Sequence, residues 1–358
     1  RSSAASDVYK RQRMDTYSAA DVSNLARVFT GYDYDTSKNQ PTNLSGSTVT
    51  GLQQALLPMA FNAARHSTLA ATFLGTTVAA GTSGPAALKA ALDTLFNHPN
   101  VGPFIGRQLI QRLVTSNPSP AYVGRVAAAF ADNGSGTRGD LRAVIATVLL
   151  DPEARGAAGL ASPQYGRLRE PMVRFVQWGR TFGLRSARGT WKIDNLSDPA
   201  TRLGQSPLRS GSVFNFFRPG YVPPSTPLAT TGQVAPEFQI VTETSVSGYL
   251  NFMQNVIRFG YYVNAPDLPQ GSSSAANGFD ITCSYANLLP LVADAAALVR
   301  KVALLLSAGQ VSAATQARIV AALNATPVTA TSNAATQLNR VAAAVLLVMA
   351  SPEYLVQK

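Results

Sequence analysis

The sequence is poor in the residues that most often carry metal or redox chemistry. Its 358 residues include one cysteine, Cys283, and two histidines, His66 and His98. A single cysteine excludes an intrachain disulfide and a four-thiolate zinc site. The histidines show neither H-x-x-x-H nor H-E-x-x-H spacing. We therefore predict no metal site and no cofactor.

Charged residues are also scarce, at 14% of the chain, where an ordinary soluble domain has about 25%. This composition excludes charge-driven disorder, and the 46% of hydrophobic residues can supply a sizeable core. The longest apolar run, from Val341 to Ala350, has ten residues, whereas a membrane-spanning helix needs about 18 or more. We predict a folded chain without a transmembrane segment.

Motifs of the common catalytic and ligand sites are either missing or lack the neighbouring structure that they require. No G-x-S-x-G nucleophile motif occurs. Gly134, Gly136 and Gly139 match G-x-G-x-x-G, but a helical pattern precedes them where a dinucleotide site requires a strand. The same loop, beginning at Asp132, has glycines where a calcium loop has oxygen ligands. The sequence leaves open whether the protein is an enzyme.

Hydrophobic periodicity predicts mainly α-helical structure. Ser18 and Asp21 have the spacing of a capping box, and apolar residues recur at helical spacing after them. The same periodicity continues through most of residues 84–182, including a helix over 168–182, and returns over 245–350. These stripes predict a bundle of packed helices.

Two regions depart from the helical pattern. Short alternating segments around Phe61 and Phe73 predict a small β-hairpin element. Residues 184–248 lack helical periodicity, and 212–217 and 238–241 are their best strand candidates. The predicted fold class is therefore mainly α: a helical bundle with a small β-hairpin element and a long irregular Pro-rich wrap.

Positive charge is concentrated in the middle of the chain. The formal net charge is +11, and residues 1–218 supply all of it, with 24 basic and 13 acidic residues. Residues 167–218 contain ten basic and three acidic residues. We predict that this stretch attracts an anionic polysaccharide or a protein partner; the alternative is that its arginines pair within the fold. Its aromatic spacing is too irregular for a single-strand binder, so nucleic acid is not expected.

A group of polar side chains forms the candidate functional site. Glu170 and Arg174 have the i, i+4 spacing of a helix ion pair. A histidine and a glutamate that reach one substrate atom can act as acid and base. A buried arginine–glutamate cluster and local helix capping by the histidine are the structural explanations of the same residues. The candidate residues are His98, Arg107, Arg167, Arg169, Glu170 and Arg174.

The first twelve residues, RSSAASDVYKRQ, resemble a translated sequencing adaptor. We expect residues 1–12 to be an artefactual, unstructured leader, and the natural chain to begin near Arg13 after the loss of an N-terminal part. Residues 13–358 are predicted to form a single helical domain, with a division into 13–183 and 184–358 as the alternative.

Seven short segments form a recognisable set. They are Tyr17–Tyr32, Asn97–Val114, Asp140–Arg155, Leu168–Pro171, Ser212–Pro224, Ala235–Ile240 and Ser351–Tyr354. In this order they resemble a bacterial family known as domain of unknown function 1800. The resemblance covers nearly all of residues 13–358 and implies a mainly helical, exported protein whose signal sequence belongs to the missing part. It also implies a sulfatase-like exported protein as a partner, and it implies no activity.

We therefore predict a cell-envelope binding or assembly component that contacts an anionic glycan or a protein partner. One alternative is a hydrolase acting on envelope polymers, with His98 and Glu170 in one cleft. The other is a structural scaffold without a concave polar pocket.

Overall fold

The structure is a computed structural model that describes residues 16–38, 56–189, 191–213, 215–264 and 278–358. It also gives short backbone strands at 5–6, 13–14, 41–44 and 47–50. Of the predicted leader 1–12, only Ala5–Ser6 is described, as a strand paired with Arg13–Met14; the rest lies outside the described residues. The artefactual origin of the leader stays a prediction.

Helices dominate the described part of the chain, and the predicted fold class is confirmed. The helices are α1 (Ala19–Val28), α2 (Gly84–Asn97), α3 (Val101–Leu113), α4 (Pro120–Ala131), α5 (Leu141–Leu150), α6 (Pro152–Arg155), α7 (Ala157–Ala161), α8 (Pro171–Thr181), α9 (Pro227–Thr230), α10 (Glu243–Phe259), α11 (Ala295–Ser307), α12 (Ala313–Asn324), α13 (Ala334–Met349) and α14 (Pro352–Leu355). The predicted capping box forms at the start of α1, where Ser18 and Asp21 bind each other's backbone N–H groups.

The β structure consists of short antiparallel pairs and one three-stranded sheet. The strands are β1 (Ala5–Ser6), β2 (Arg13–Met14), β3 (Tyr32–Asp33), β4 (Pro41–Leu44), β5 (Ser47–Thr50), β6 (Ala60–Phe61), β7 (Ala71–Phe73), β8 (Thr76–Val78), β9 (Arg167–Leu168), β10 (Arg185–Ser186), β11 (Tyr261–Val263), β12 (Gly278–Thr282) and β13 (Val356–Gln357). The Phe73 segment forms the β7–β8 hairpin, and the Phe61 segment pairs with β3 instead. Leu74 and Gly75 both have positive φ, which closes the tight local turn.

The long irregular segment is confirmed, because the described residues between β10 and α9 form neither helix nor strand. The two strands predicted near it are wrong. Residues Pro236–Ile240 form a 3₁₀ helix, and proline favours a helix start over a central strand. The described residues of 212–217 form turns and bends, with Asn215 at φ 70°, which interrupts an extended strand.

The helix predicted over 168–182 begins later, at Pro171. Leu168 lies instead in β9, which pairs with β13 near the end of the chain. A proline at the first helical position and a strand just before it fix this boundary. The sequence period could not show the strand, because its partner is remote in sequence.

The described chain divides into two compact units. The first unit contains Arg1–Arg107 and Val123–Val144, and the second contains Gln108–Tyr122 and Ile145–Lys358. In the first unit, α1 packs against β7 over a small core that includes Phe73. The predicted domain boundaries stay predictions.

The second unit holds the large hydrophobic core. Its helices α10 and α11 both pack against α13, and α8 packs against α11. Trp178 is fully buried in this core, and its indole N–H donates to the Tyr285 hydroxyl at 3.0 Å. This hydrogen bond holds α8 next to the segment that precedes α11, so the core of the second unit is fixed at this point.

Candidate functional site

The predicted polar cluster is divided between the two units. His98 and Arg107 belong to the first unit. Arg107 is exposed on α3, and His98 ends α2, where its Nδ1 accepts from the Asn100 backbone N–H at 3.2 Å. His98 thus has the local capping contact that was the structural explanation for it. An acid–base pair of His98 and Glu170, which lies in the second unit, stays a prediction.

Glu170 belongs to a network of charges in the second unit, in which Arg167 and Glu237 are buried and Glu170 and Arg112 are partly buried. Arg167 lies 3.9 Å from Glu170 and 3.3 Å from Glu237, and Arg112 lies 3.7 Å from Glu170. Gln205 donates a hydrogen bond to the Glu170 carboxylate. Glu237 is 1% exposed, and burial raises the pKa of its carboxyl above the usual range. Such a network is typical of an internal structural element rather than of a substrate site.

The two remaining candidate arginines are also held within the fold. The Arg174 guanidinium lies 3.9 Å from the centre of the Tyr249 ring. Arg169 lies over the Tyr354 ring at 4.2 Å and donates to the Tyr354 carbonyl at 2.8 and 2.6 Å. Because Arg167 and Arg174 are each only 6% exposed, the predicted basic surface is wrong at these two positions. Their charge serves internal packing.

A separate cleft in the second unit brings exposed aromatic and amide side chains together. Its volume is about 510 Å³, which lies within the usual range of ligand sites. It is formed by α10, β11, β12 and the loop over residues 194–202, and we call it the aromatic–amide cleft. Its lining residues include Asp194, Arg202, Asn251, Asn255, Phe259, Tyr261, Tyr262, Asn264 and Phe279.

One flank of α10 supplies the helical wall of this cleft. Asn251, Asn255 and Phe259 are four residues apart and therefore share one face of the helix. Gly260 ends α10 with φ 87°, so the chain can turn at once into β11. A Cβ at Gly260 would lie 2.7 Å from the Ile281 carbonyl oxygen, so only glycine fits this junction.

The outer face of the three-stranded sheet supplies the second wall. Strand alternation exposes Tyr262 on β11, and Asn264, which directly follows the strand, is also exposed. Tyr262 is paired directly with Phe279 of β12, with the ring centroids 5.3 Å apart at 84°. Phe259 lies 5.9 Å from Phe279. The three rings form a contiguous row, and Phe259, Tyr262 and Phe279 are 50%, 49% and 53% exposed.

The asparagine amides of the cleft are available to a ligand. Asn251, Asn255 and Asn264 are all exposed. Within the described ranges, their side chains make no hydrogen bond to the protein. Each amide offers two donors and one acceptor oxygen. The cleft therefore combines apolar ring surface with uncommitted polar groups.

One end of the cleft carries a charged pair. The Tyr261 hydroxyl donates to the Asp194 carboxylate, and Arg202 donates to the Tyr261 oxygen at 3.0 Å. Arg202 Nη2 lies 3.3 Å from Asp194 Oδ2, with the side chains 32% and 40% exposed. Burial, followed by the hydrogen bond to Asp194, raises the pKa of Tyr261 to about 12. Tyr261 therefore remains a hydrogen-bond donor at neutral pH.

No sequence pattern used above identified this cleft. The i, i+4 recurrence of Asn251, Asn255 and Phe259 just before Gly260 was visible in the sequence. It indicates a polar and aromatic stripe next to a helix end, but not what lies opposite the stripe. The pairing of Tyr262 with Phe279 supplies that second wall.

The described part of the chain contains neither a candidate metal site nor a candidate membrane-spanning helix. There, no group of three or more His, Cys, Asp or Glu side chains could hold a metal ion. In the same residues, no helix combines the length and the apolar character needed to cross a bilayer.

Comparison with known proteins gives a family. The family model described as "Protein of unknown function (DUF1800)" matches residues 11–356, which is essentially the whole chain. No curated protein and no solved structure matches the chain. The family description names no activity.

Proposed function

The chain belongs to the DUF1800 family of proteins of unknown function, and we propose that it binds a polysaccharide in the aromatic–amide cleft. The observation that carries the proposal is the row of half-exposed rings, Phe259, Tyr262 and Phe279, beside three uncommitted asparagine amides. A contiguous patch of exposed rings lined by polar groups is typical of a binding surface.

The chemistry of a sugar ring matches both kinds of side chain. A pyranose presents C–H groups on its faces and hydroxyl groups at its edges. The C–H groups pack against the electron-rich faces of aromatic rings. The hydroxyl groups both donate and accept hydrogen bonds, as do the amides of Asn251, Asn255 and Asn264. Three half-exposed rings, with Tyr262 at 84° and Phe259 at 33° to Phe279, offer C–H groups more than one aromatic contact, which favours a polymer over a single sugar.

The inventory of carboxyl groups favours binding over hydrolysis. Among the described residues that line the cleft, Asp194 is the only carboxylic acid. Most glycoside hydrolases use a pair of carboxyl groups about 5–10 Å apart. We therefore place the protein among binding components. Export and a role at the cell envelope belong to the same proposal, and the family resemblance supports them.

Removal of one ring tests the proposal. We expect Phe279→Ala to weaken polysaccharide binding about tenfold, since the stacking contribution of one aromatic ring is about 1 kcal/mol or slightly more. Binding is measured by native affinity electrophoresis in gels that contain soluble β-glucan, galactomannan or galactan. Tyr262→Ala is expected to act in the same way.

Phe104→Ala is the matched control. Phe104 is 52% exposed on α3, as Phe279 is 53% exposed, but it is remote in sequence from the cleft. We expect this variant to migrate like the wild type in every gel. Equal retardation of wild type and Phe279→Ala, or no retardation of the wild type in any gel, contradicts the proposed function.

A further inference from the structure

We propose that the aromatic–amide cleft binds a neutral sugar in preference to an acidic one. In this proposal, Asp194 and Arg202 form hydrogen bonds with two adjacent hydroxyl groups of the sugar. This inference rests on the proposed function, because it names the ligand class of the same site. The observation behind it is a carboxylate and a guanidinium side by side in the cleft wall, 3.3 Å apart and both partly exposed.

Both groups keep hydrogen-bonding capacity after their contacts within the protein. A guanidinium has five N–H donors, and within the described residues the Arg202 side chain donates hydrogen bonds to Tyr261 and Asp194 only. A carboxylate has about four lone-pair sites, and Asp194 accepts from Tyr261, from Arg202 and from no other side chain within the described residues. Neighbouring acceptor and donor sites of this kind match a vicinal diol, in which one hydroxyl donates to the carboxylate and the other accepts from the guanidinium.

The positions of these groups are fixed before a ligand arrives. Tyr261 is 2% exposed and bridges the two side chains through its hydroxyl. Asp198 holds the loop that carries Arg202, since its carbonyl oxygen accepts from the Arg202 N–H at 3.0 Å. A pre-organised pair loses little freedom on binding, so it can discriminate between ligands.

The charges oppose an acidic sugar. Arg202 is the only cationic residue among the described residues that line the cleft, and Asp194 already balances its charge. The neighbouring Arg258 stacks on Phe259 at 4.9 Å and donates to Asn339. A sugar carboxylate at this end would meet the Asp194 carboxylate, and the described lining of the cleft holds no second cation to offset the repulsion. The inference therefore departs from the anionic glycan that the net charge of the chain predicted.

The test removes the negative charge of the Asp194–Arg202 pair. Asp194→Asn keeps the shape of the side chain but leaves Arg202 unbalanced. We expect affinity for the neutral polymer to fall about tenfold and affinity for its acidic form to rise about fivefold or more. The probes are soluble β-glucan, galactomannan and galactan, each before and after chemical oxidation of its C6 hydroxyl to a carboxylate. Affinities are measured in about 0.5 M salt, where long-range attraction to the basic chain is screened.

Two further variants complete the test. Asp93→Asn makes the same change in net charge at an exposed helix pair with Lys89 in the first unit, and we expect it to leave the ratio of neutral to acidic binding unchanged. Arg202→Gln is expected to weaken neutral binding about tenfold without any gain for the acidic polymers. If thermal unfolding shows that Asp194→Asn does not fold, the Arg202→Gln variant tests the inference by itself, through its loss of binding to the neutral polymer.

The outcomes separate the two proposals. Binding that depends on Phe279, together with a ratio that responds to Asp194→Asn, supports the inference. Binding that depends on Phe279 with a ratio that neither Asp194→Asn nor Arg202→Gln changes overturns the inference and leaves the proposed function standing. Wild-type preference for the oxidised polymers also overturns it. Absence of wild-type binding overturns both.

Discussion

Replacement of Arg167 by alanine is expected to lower the free energy of unfolding by about 3–5 kcal/mol, because it leaves a buried carboxylate without its charged partner. Arg167 lies 3.3 Å from Glu237, and their side chains are 5% and 2% exposed. Removal of one member of such a pair exposes the full desolvation penalty of the other. Denaturant unfolding of the two proteins, followed by circular dichroism, measures the difference.

A second variant separates the pair from its surroundings. Arg167→Met combined with Glu237→Leu removes both charges and keeps apolar volume, so we expect it to recover most of the stability lost in Arg167→Ala. Arg112, which lies 3.7 Å from Glu170 in the wild type, leaves Glu170 a charged neighbour in that double variant. Arg209→Ala serves as the control, since Arg209 is an exposed arginine of the same basic stretch, and its effect should stay within about 0.5 kcal/mol. A loss below about 1 kcal/mol for Arg167→Ala would contradict a buried ion pair at this place.

Gly248→Ala is expected to destabilise the second unit by about 1–3 kcal/mol, although alanine is the better helix former. Gly248 is buried in the middle of α10, and a Cβ there would lie 2.2 Å from the Pro199 carbonyl oxygen. The Ala200 carbonyl group would lie 2.8 Å away, and because both Pro199 and Ala200 present backbone atoms, the loop that leads to Arg202 would have to move away from the helix. We therefore expect weaker polysaccharide binding as well as lower stability, measured by thermal unfolding and affinity electrophoresis.

Gly124→Ala is the same chemical change, but we expect it to raise the stability of the protein rather than lower it. Gly124 is an exposed residue within α4, and no atom lies within 4 Å of a Cβ built at this position. The substitution should stabilise the protein by about 0.5–1 kcal/mol, because alanine loses less conformational freedom in a helix. Stabilisation by Gly248→Ala of similar size would show that the loop over 199–202 does not approach α10 closely.

The sequence predicted those features whose causes are local. The capping box of Ser18 and Asp21 forms where its spacing indicates it. The Pro-Glu that follows both α5 and α13, as Pro152-Glu153 and Pro352-Glu353, was not used for a prediction, although both copies make the same kind of contact. In both places the glutamate accepts a hydrogen bond from a serine before a preceding helix: Glu153 from Ser119 at 2.9 Å, and Glu353 from Ser312 at 2.6 Å. The spacing of Ser18 and Asp21 is a short-range signal that needs no knowledge of the fold, whereas these two serine–glutamate contacts join residues 34 and 41 positions apart.

Features that depend on remote partners could not be predicted. The count of basic residues over 167–218 is correct, but it does not reveal that Arg167 meets Glu237, 70 residues later, in the interior. The same limit applies to the cleft. Helical spacing places Asn255 and Phe259 on one face, whereas the ring row exists only because Tyr262 pairs with Phe279 in the three-stranded sheet. Charge and aromatic content become site information only after tertiary pairing is known.

The most direct test of the central claim is hydroxyl-radical footprinting of the wild-type protein, with and without the polysaccharide that retards it most strongly. Mass spectrometry then reports the oxidation of each exposed ring. We predict that the polysaccharide protects Phe259, Tyr262 and Phe279 several-fold while the oxidation of Phe104 stays unchanged. Equal oxidation of the three cleft rings in the free and the saturated protein would contradict a polysaccharide site in this cleft.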